Sequence, residues 1–201
     1  EMERDAKIGL GSGKHTFPDG RLQTPFLGAD DTYQMDTGKY NYTKEVGGFV
    51  GPCMLIKKNL IKKIGYYDEN FFYGPNDLDY CHRARKEGFK IIYVGASHSV
   101  HIGSASGISP LKDLIYLHQS EGMMIYSLRY GVFFEKIGMI FRQFIRAFVT
   151  RKNPVEKRTQ KNLLFHLTFP KRGSLFSTSL IRSLNNYKKL RTSKGEGKIV
   201  Q

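Results

Sequence analysis

The sequence predicts an α/β domain followed by amphipathic helices at its C-terminal side. Three observations point there. A helix-patterned stretch, Asn76–Glu87, ends at Gly88 and runs straight into Phe89–Val94, FKIIYV, which is rich in β-branched and aromatic residues. A glycine-punctuated apolar run, Gly47–Ile56, reads as a second buried strand. Beyond Pro110 the period becomes helical and stays so through Val149.

The elements follow in order. Lys7–Leu10 reads as a short strand and Phe17-Pro-Asp-Gly20 as a turn, with Pro fixing φ and Gly admitting a positive one. Residues 21–45 are polar and show no period, so a long loop with at most short strands is expected. Lys57–Ile64 is a short helix closed by Gly65. Asn76 is placed as the N-cap of the next helix, with Asp79 in a capping-box position. Leu78, Cys81 and Ala84 face inward, and Asp79 pairs with Arg83 on the outside. Leu111–Tyr130 is a further helix. In Val132–Val149 the charges Glu135, Arg142 and Arg146 share one side, while Phe133, Phe134, Ile137, Ile140, Phe141, Phe144, Ile145 and Phe148 cover much of the rest. Four charges in that stretch argue against a membrane span and for a helix lying in the headgroup layer. Ordinary core packing produces the same spacing.

Charge separates the chain into parts. Residues 1–108 carry 14 Lys/Arg and 13 Asp/Glu, whereas residues 109–201 carry 18 and 5. The excess positive charge belongs to the second half and calls for a polyanionic surface. Nothing resembles a helix-turn-helix, an RNA-recognition motif or an OB signature, so an anionic membrane surface is favoured and no nucleic acid is expected. Cys53 and Cys81 are too few for a disulfide framework and favour a reducing compartment. Three segments are expected: 1–108, a folded part; 109–150, helical and membrane-surface-associating; 151–201, a basic, largely disordered tail.

The chemistry concentrates in Ile64–Gly107. The residues Gly48-Phe-Val-Gly51, Ile64-Gly-Tyr-Tyr-Asp-Glu-Asn-Phe-Phe72, Asn76-Asp-Leu-Asp-Tyr-Cys-His-Arg-Ala-Arg85, Gly88-Phe-Lys-Ile91, and His101 with Gly103 and Ser106 stand in a fixed order. In that order and spacing they resemble the C-terminal part of the catalytic domain of inverting family 2 glycosyltransferases, most of all the rhamnosyltransferase-type members that build bacterial surface polysaccharides. Ile8-Gly9 and Pro18-Asp19-Gly20 fit the segment such enzymes carry just before. The resemblance implies part of a GT-A-type, Rossmann-like domain, and covers roughly the first half of the chain. Two departures stand out. The family's Glu-Asp pair reads Asn76-Asp77, and the nucleotide-binding half with its Asp-x-Asp motif is absent, Asp30-Asp31 having no apolar strand before it. The chain therefore reads as a C-terminal portion lacking the donor half and inactive alone.

Inverting transfer needs a base for the acceptor hydroxyl and positive charge for the departing diphosphate. Asp77, in the first turn of a helix, suits a carboxylate kept ionised by backbone N–H groups and the helix dipole. The resemblance places the family's base at this position; as bare sequence, an aspartate there equally decorates a helix start. Gly48, Phe72, Tyr73 and Asn76 are the candidate acceptor-side residues: glycine for close backbone approach, aromatic rings as a stacking wall. The resemblance makes His101 a ligand of a divalent cation, Mn²⁺ or Mg²⁺, whose other ligands come from the N-terminal half. His98, His101, Cys53 and Cys81 match no common zinc spacing. The implied partners are a nucleotide-sugar donor and a saccharide or lipid-linked acceptor, at the cytoplasmic face of the cell membrane. A non-catalytic glycosyltransferase-like remnant and a basic nucleic-acid-binding module are the alternatives.

Overall fold

The computed structural model describes residues 1–71, 74–102 and 112–149; for 112–118, 121, 143 and 146–149 the description is of the backbone. Two compact units emerge, Glu1–Tyr126 and Ser127–Gln201. The first contains a short 3₁₀ turn at Met2–Arg4 and then β1 (Ile8–Thr16), β2 (Thr43–Glu45), β3 (Leu55–Ile56), α1 (Lys58–Ile64), α2 (Asn76–Lys86) and β4 (Lys90–Val100). The helix α3 (Lys112–Tyr130) follows, and α4 (Phe133–Val149) lies in the second unit.

The sheet is mixed, in the order β2-β4-β1-β3. β1 and β4 are parallel, while β2 and β3 add antiparallel edges. A parallel pair needs a long crossover. Here the chain between β1 and β4 supplies the loop, both edge strands, α1 and α2. Leu10, Ile91 and Tyr93 of the central strands are fully buried against Phe49, Leu60, Tyr80, Cys81 and Ala84. Phe26 packs edge-on against Tyr93 at 5.2 Å, and the Tyr93 hydroxyl donates to the Tyr40 carbonyl at 3.0 Å. These contacts hold the polar loop 21–45 to the sheet although the loop has little regular structure of its own.

Several local expectations change. β1 continues six residues past Leu10, through Gly-Ser-Gly-Lys-His-Thr, because β4 pairs with it along that length. Burial there is polar: Ser12, Lys14, His15 and Thr16 are all buried and hydrogen-bonded. The run Gly47–Ile56 is a strand only at Leu55–Ile56; Pro52 and the glycines break the ladder, and Phe49 is held by packing instead. The N-cap of α2 is Pro75, not Asn76, since Pro75 already accepts the first helical hydrogen bond from Asp79 N–H at 2.8 Å. Proline's fixed φ starts the turn one residue early, and Asn76 becomes the first helical residue. The Asp79–Arg83 pair forms, but Asp79 is completely buried rather than outside. The C-terminal glycine stops agree: Gly65 and Gly88 have φ of 77° and 80°.

Candidate active site

The start of α2 is assembled from three segments. Asp79 receives Arg83 Nε at 2.8 Å, and the same guanidinium donates to the carbonyls of Ile64 and Tyr66, each at 2.9 Å. The Tyr80 hydroxyl donates to the Gly65 carbonyl at 2.8 Å. Thus Asp79, Arg83 and Tyr80 clamp the Gly65-Tyr-Tyr segment to the helix. A buried carboxylate without that guanidinium would be strongly destabilising.

Gly48 sets the third segment. It is buried, and a Cβ there would lie 3.1 Å from Leu27 Cδ1 and 3.2 Å from Cys81 Cβ. Glycine lets the 47–51 loop sit directly on α2. Three residues on, the Gly51 N–H donates to Asp77 Oδ2 at 3.2 Å. Asp77 is half-buried, and burial pushes its carboxyl above the ordinary value; the Gly51 hydrogen bond opposes this without cancelling it. This differs from the expectation that the helix start holds the group low. Tyr67 lies in the same electrostatic neighbourhood: burial first, then the Asp77 charge, push its hydroxyl up to about 12. Its ring centroid is 4.8 Å from that of Tyr80. Sequence reasoning did not single out Tyr67, although the Tyr66-Tyr67 pair just before Asp68 was a signal.

The other candidates are placed as follows. Asn76 is half-buried beside Asp77 on the first turn. Phe72 and Tyr73 lie outside the described residues. His101 follows β4, and its N–H donates to the Thr16 carbonyl at 2.8 Å. Gln23 Nε2 donates to the His101 carbonyl at 2.6 Å, so Gln23 Oε1, 2.7 Å from His101 Nδ1, is the acceptor of the ring proton. That fixes the Nδ1–H tautomer and leaves the Nε2 lone pair, the arrangement a metal-ligating histidine has. Among the described residues no group of three or more His, Cys, Asp or Glu is arranged to hold a metal. His101 fits as one ligand and needs others. A cleft of about 650 Å³ opens elsewhere, beside Gly11, Ser12, Cys53, Leu55 and Lys57; Asp77 does not line it.

A low-salt glycan biosynthesis hexosyltransferase of Haloferax volcanii is 33% identical over 64 residues, which is 32% of this chain and 21% of that protein. N-acetylglucosaminyl-diphospho-decaprenol L-rhamnosyltransferases from two strains of Mycobacterium tuberculosis are 30% identical over 78 residues, 38% of this chain and 25% of theirs. The chain is similar to glycosyltransferases. The similarity spans a fifth to a quarter of these relatives' length. No family model matches the chain.

Proposed function

We propose that this chain is the acceptor-side part of an inverting, family 2-like glycosyltransferase of cell-surface polysaccharide synthesis, with Asp77 as general base. The observation that carries the reading is the environment of Asp77: a half-buried carboxylate at a helix start, raised by burial and met by one backbone donor. A base whose pKa lies nearer the working pH accepts a proton more effectively in the transition state.

In this mechanism Asp77 takes the proton of an acceptor hydroxyl. The oxygen forms its bond to the anomeric carbon as the bond from that carbon to the diphosphate breaks, and the configuration inverts. The Gly51 N–H holds the carboxylate in one orientation. A divalent cation, when bound, stabilises the charge on the leaving diphosphate. His101 Nε2 is this chain's contribution to holding it. In this reading the nucleotide-sugar pocket and the remaining metal ligands are supplied from outside residues 1–201, which alone transfer no sugar.

We place the enzyme peripherally on the inner face of the cell membrane. Along α4, Phe133, Phe134, Ile137 and Phe141 are exposed, and no helix among the described residues is long and apolar enough to cross a bilayer. Asparagine at position 76, where the resemblance has glutamate, favours the alternative of a non-catalytic remnant. The deciding experiment is Asp77→Asn in the full-length protein, assayed for transfer from a nucleotide sugar. Loss of transfer with the fold intact supports the reading, and near-normal turnover removes Asp77 as the base.

A further inference from the structure

A buried polar chain reaches from the paired ends of β1 and β4 to the loop that contacts Asp77. Residues three apart on a regular strand point to opposite faces. Between Gly13 and Lys14 the pairing with β4 slips: Gly13 pairs with Val94 but Lys14 with His98. The bulge requires glycine at two places. A Cβ on Gly13 would strike the Ser97 carbonyl oxygen, and one on Gly95 the Tyr40 carbonyl oxygen. With the alternation broken, Ser12 and His15 meet: Ser12 Oγ is 3.1 Å from His15 Nε2.

The direction of each bond follows. Ser12 Oγ donates its single proton to the Cys53 carbonyl at 2.9 Å. Toward His15 it must accept, so Nε2 carries the ring proton. His15 Nδ1, 2.6 Å from Ser99 Oγ, then accepts from that hydroxyl. The order is Ser99 O–H to His15, His15 N–H to Ser12, Ser12 O–H to Cys53 C=O. His15 is only 2% exposed, so water does not substitute for its partners, while Ser12, 5% exposed, borders the cleft beside Cys53. The chain ends on the turn Gly51-Pro52-Cys53, whose Gly51 N–H faces Asp77. The Gly51 backbone also lies against Ser12, a Cβ there being 3.7 Å from Ser12 Oγ.

The geometry points to His15 as a positioning residue: through Ser12 and the Cys53 carbonyl it fixes the loop that presents the Gly51 N–H to Asp77. This rests on the reading of Asp77 as the base, and it deepens that reading by naming what holds the base's one donor. Seen this way, the buried polarity of β1 aligns a loop and need not bind anything itself.

The test is Ser12→Ala and, separately, His15→Asn, in the 201-residue chain by NMR and in the full-length protein by kinetics. The expected result is Gly51 amide exchange at least about tenfold faster, with β4 amides such as Ile92 unchanged. The Asp77 carboxyl titrates about half a pH unit or more higher, because it has lost its opposing hydrogen bond. In the full-length enzyme kcat falls about tenfold while KM for the nucleotide sugar holds. Unaltered Gly51 exchange and unaltered Asp77 titration in folded Ser12→Ala overturn the proposal. So does equal acceleration of Gly51 and the β4 amides, which marks a merely structural role. The two readings fail separately: if Asp77→Asn retains transfer but Ser12→Ala still moves the Asp77 titration, the tether stands and the assignment of the base falls.

Discussion

Asp77 and α4 depart from the usual sorting of residues in opposite directions. At the start of α2 a carboxylate is drawn out of water until burial raises its pKa. Along α4, large apolar side chains are left in water, with Phe134 81% and Phe141 64% exposed. Neither arrangement helps folding: a half-buried charge loses solvation, and an exposed phenylalanine forgoes burial. In the proposed reading both serve something outside the described residues: a proton to be taken from an acceptor at Asp77, and a surface to be covered at α4. The Asp79–Arg83 clamp is the contrast: its buried carboxylate is paired and builds the domain.

The largest effect is expected where the comparison is sharpest. If Asp77 is the base of a glycosyl transfer, Asp77→Asn lowers kcat by about 10³-fold or more with the shape retained. The same change raises stability at neutral pH. A carboxyl whose folded pKa lies above its unfolded value destabilises the fold once ionised, and asparagine still accepts the Gly51 N–H without a charge. Urea midpoints at neutral pH check this; a variant both inactive and less stable would mean that Asp77 is structural.

His15 offers a second hidden ionisable group, and a smaller effect. Burial, and then the nearby His101 and His98, lower its pKa to about 4 from 6.5. The folded state therefore holds His15 neutral while the unfolded chain protonates it. Its contribution is fully present above about pH 6.5, is lost as pH falls toward about 4, and is flat below. The window corresponds to roughly 3–4 kcal/mol at about 1.4 kcal/mol per pH unit. Unfolding free energies at neutral pH and near the lower limit, for the native chain and His15→Asn, isolate it: the variant loses that slope. Equal slopes would show that His15 is protonated in the fold.

The same contrast explains what could be read from the sequence. The helix α2, the strand β4 and the amphipathic α4 carry their periods openly, and glycines mark the ends of α1 and α2 where the structure has them. The order of motifs singled out Asp77, and the structure sets it half-buried at the start of α2. The second half of β1 was not legible, because Ser12, Lys14, His15 and Thr16 are buried by hydrogen bonds rather than by hydrophobicity. Lys14 is held by Asp36 and by Asn41 Oδ1, residues that come more than twenty positions later. A polar run satisfied by distant partners looks like a loop in one dimension. The role of Gly51 was hidden likewise, since the donor that meets Asp77 lies 26 residues before it. The run 47–56 misled in the other direction: of its large apolar residues only Phe49 is buried, Val50 and Leu55 are exposed, and Pro52 denies the run a ladder.

The smallest expected effect tests the other side of the comparison. Phe134, at 81% exposure, is the most exposed aromatic side chain on α4 among the described residues, so Phe134→Ser leaves the fold and its midpoint unchanged. If α4 rests on an anionic bilayer, the ring is partly buried there, and its loss weakens binding to phosphatidylglycerol-rich vesicles about tenfold. Added salt weakens the native chain further, because the 18 Lys/Arg against 5 Asp/Glu of residues 109–201 act through a screened attraction. Flotation of both proteins, on anionic and on phosphatidylcholine vesicles, measures this. Equal partitioning of the variant breaks the reading of the aromatic face, and equal binding to neutral vesicles breaks the role of charge. If the native chain is instead dimeric in sedimentation and Phe134→Ser is monomeric, a second copy covers the face. The exposed apolar surface would then be an interface between protomers, and only the hidden charge at Asp77 would remain as stored chemistry.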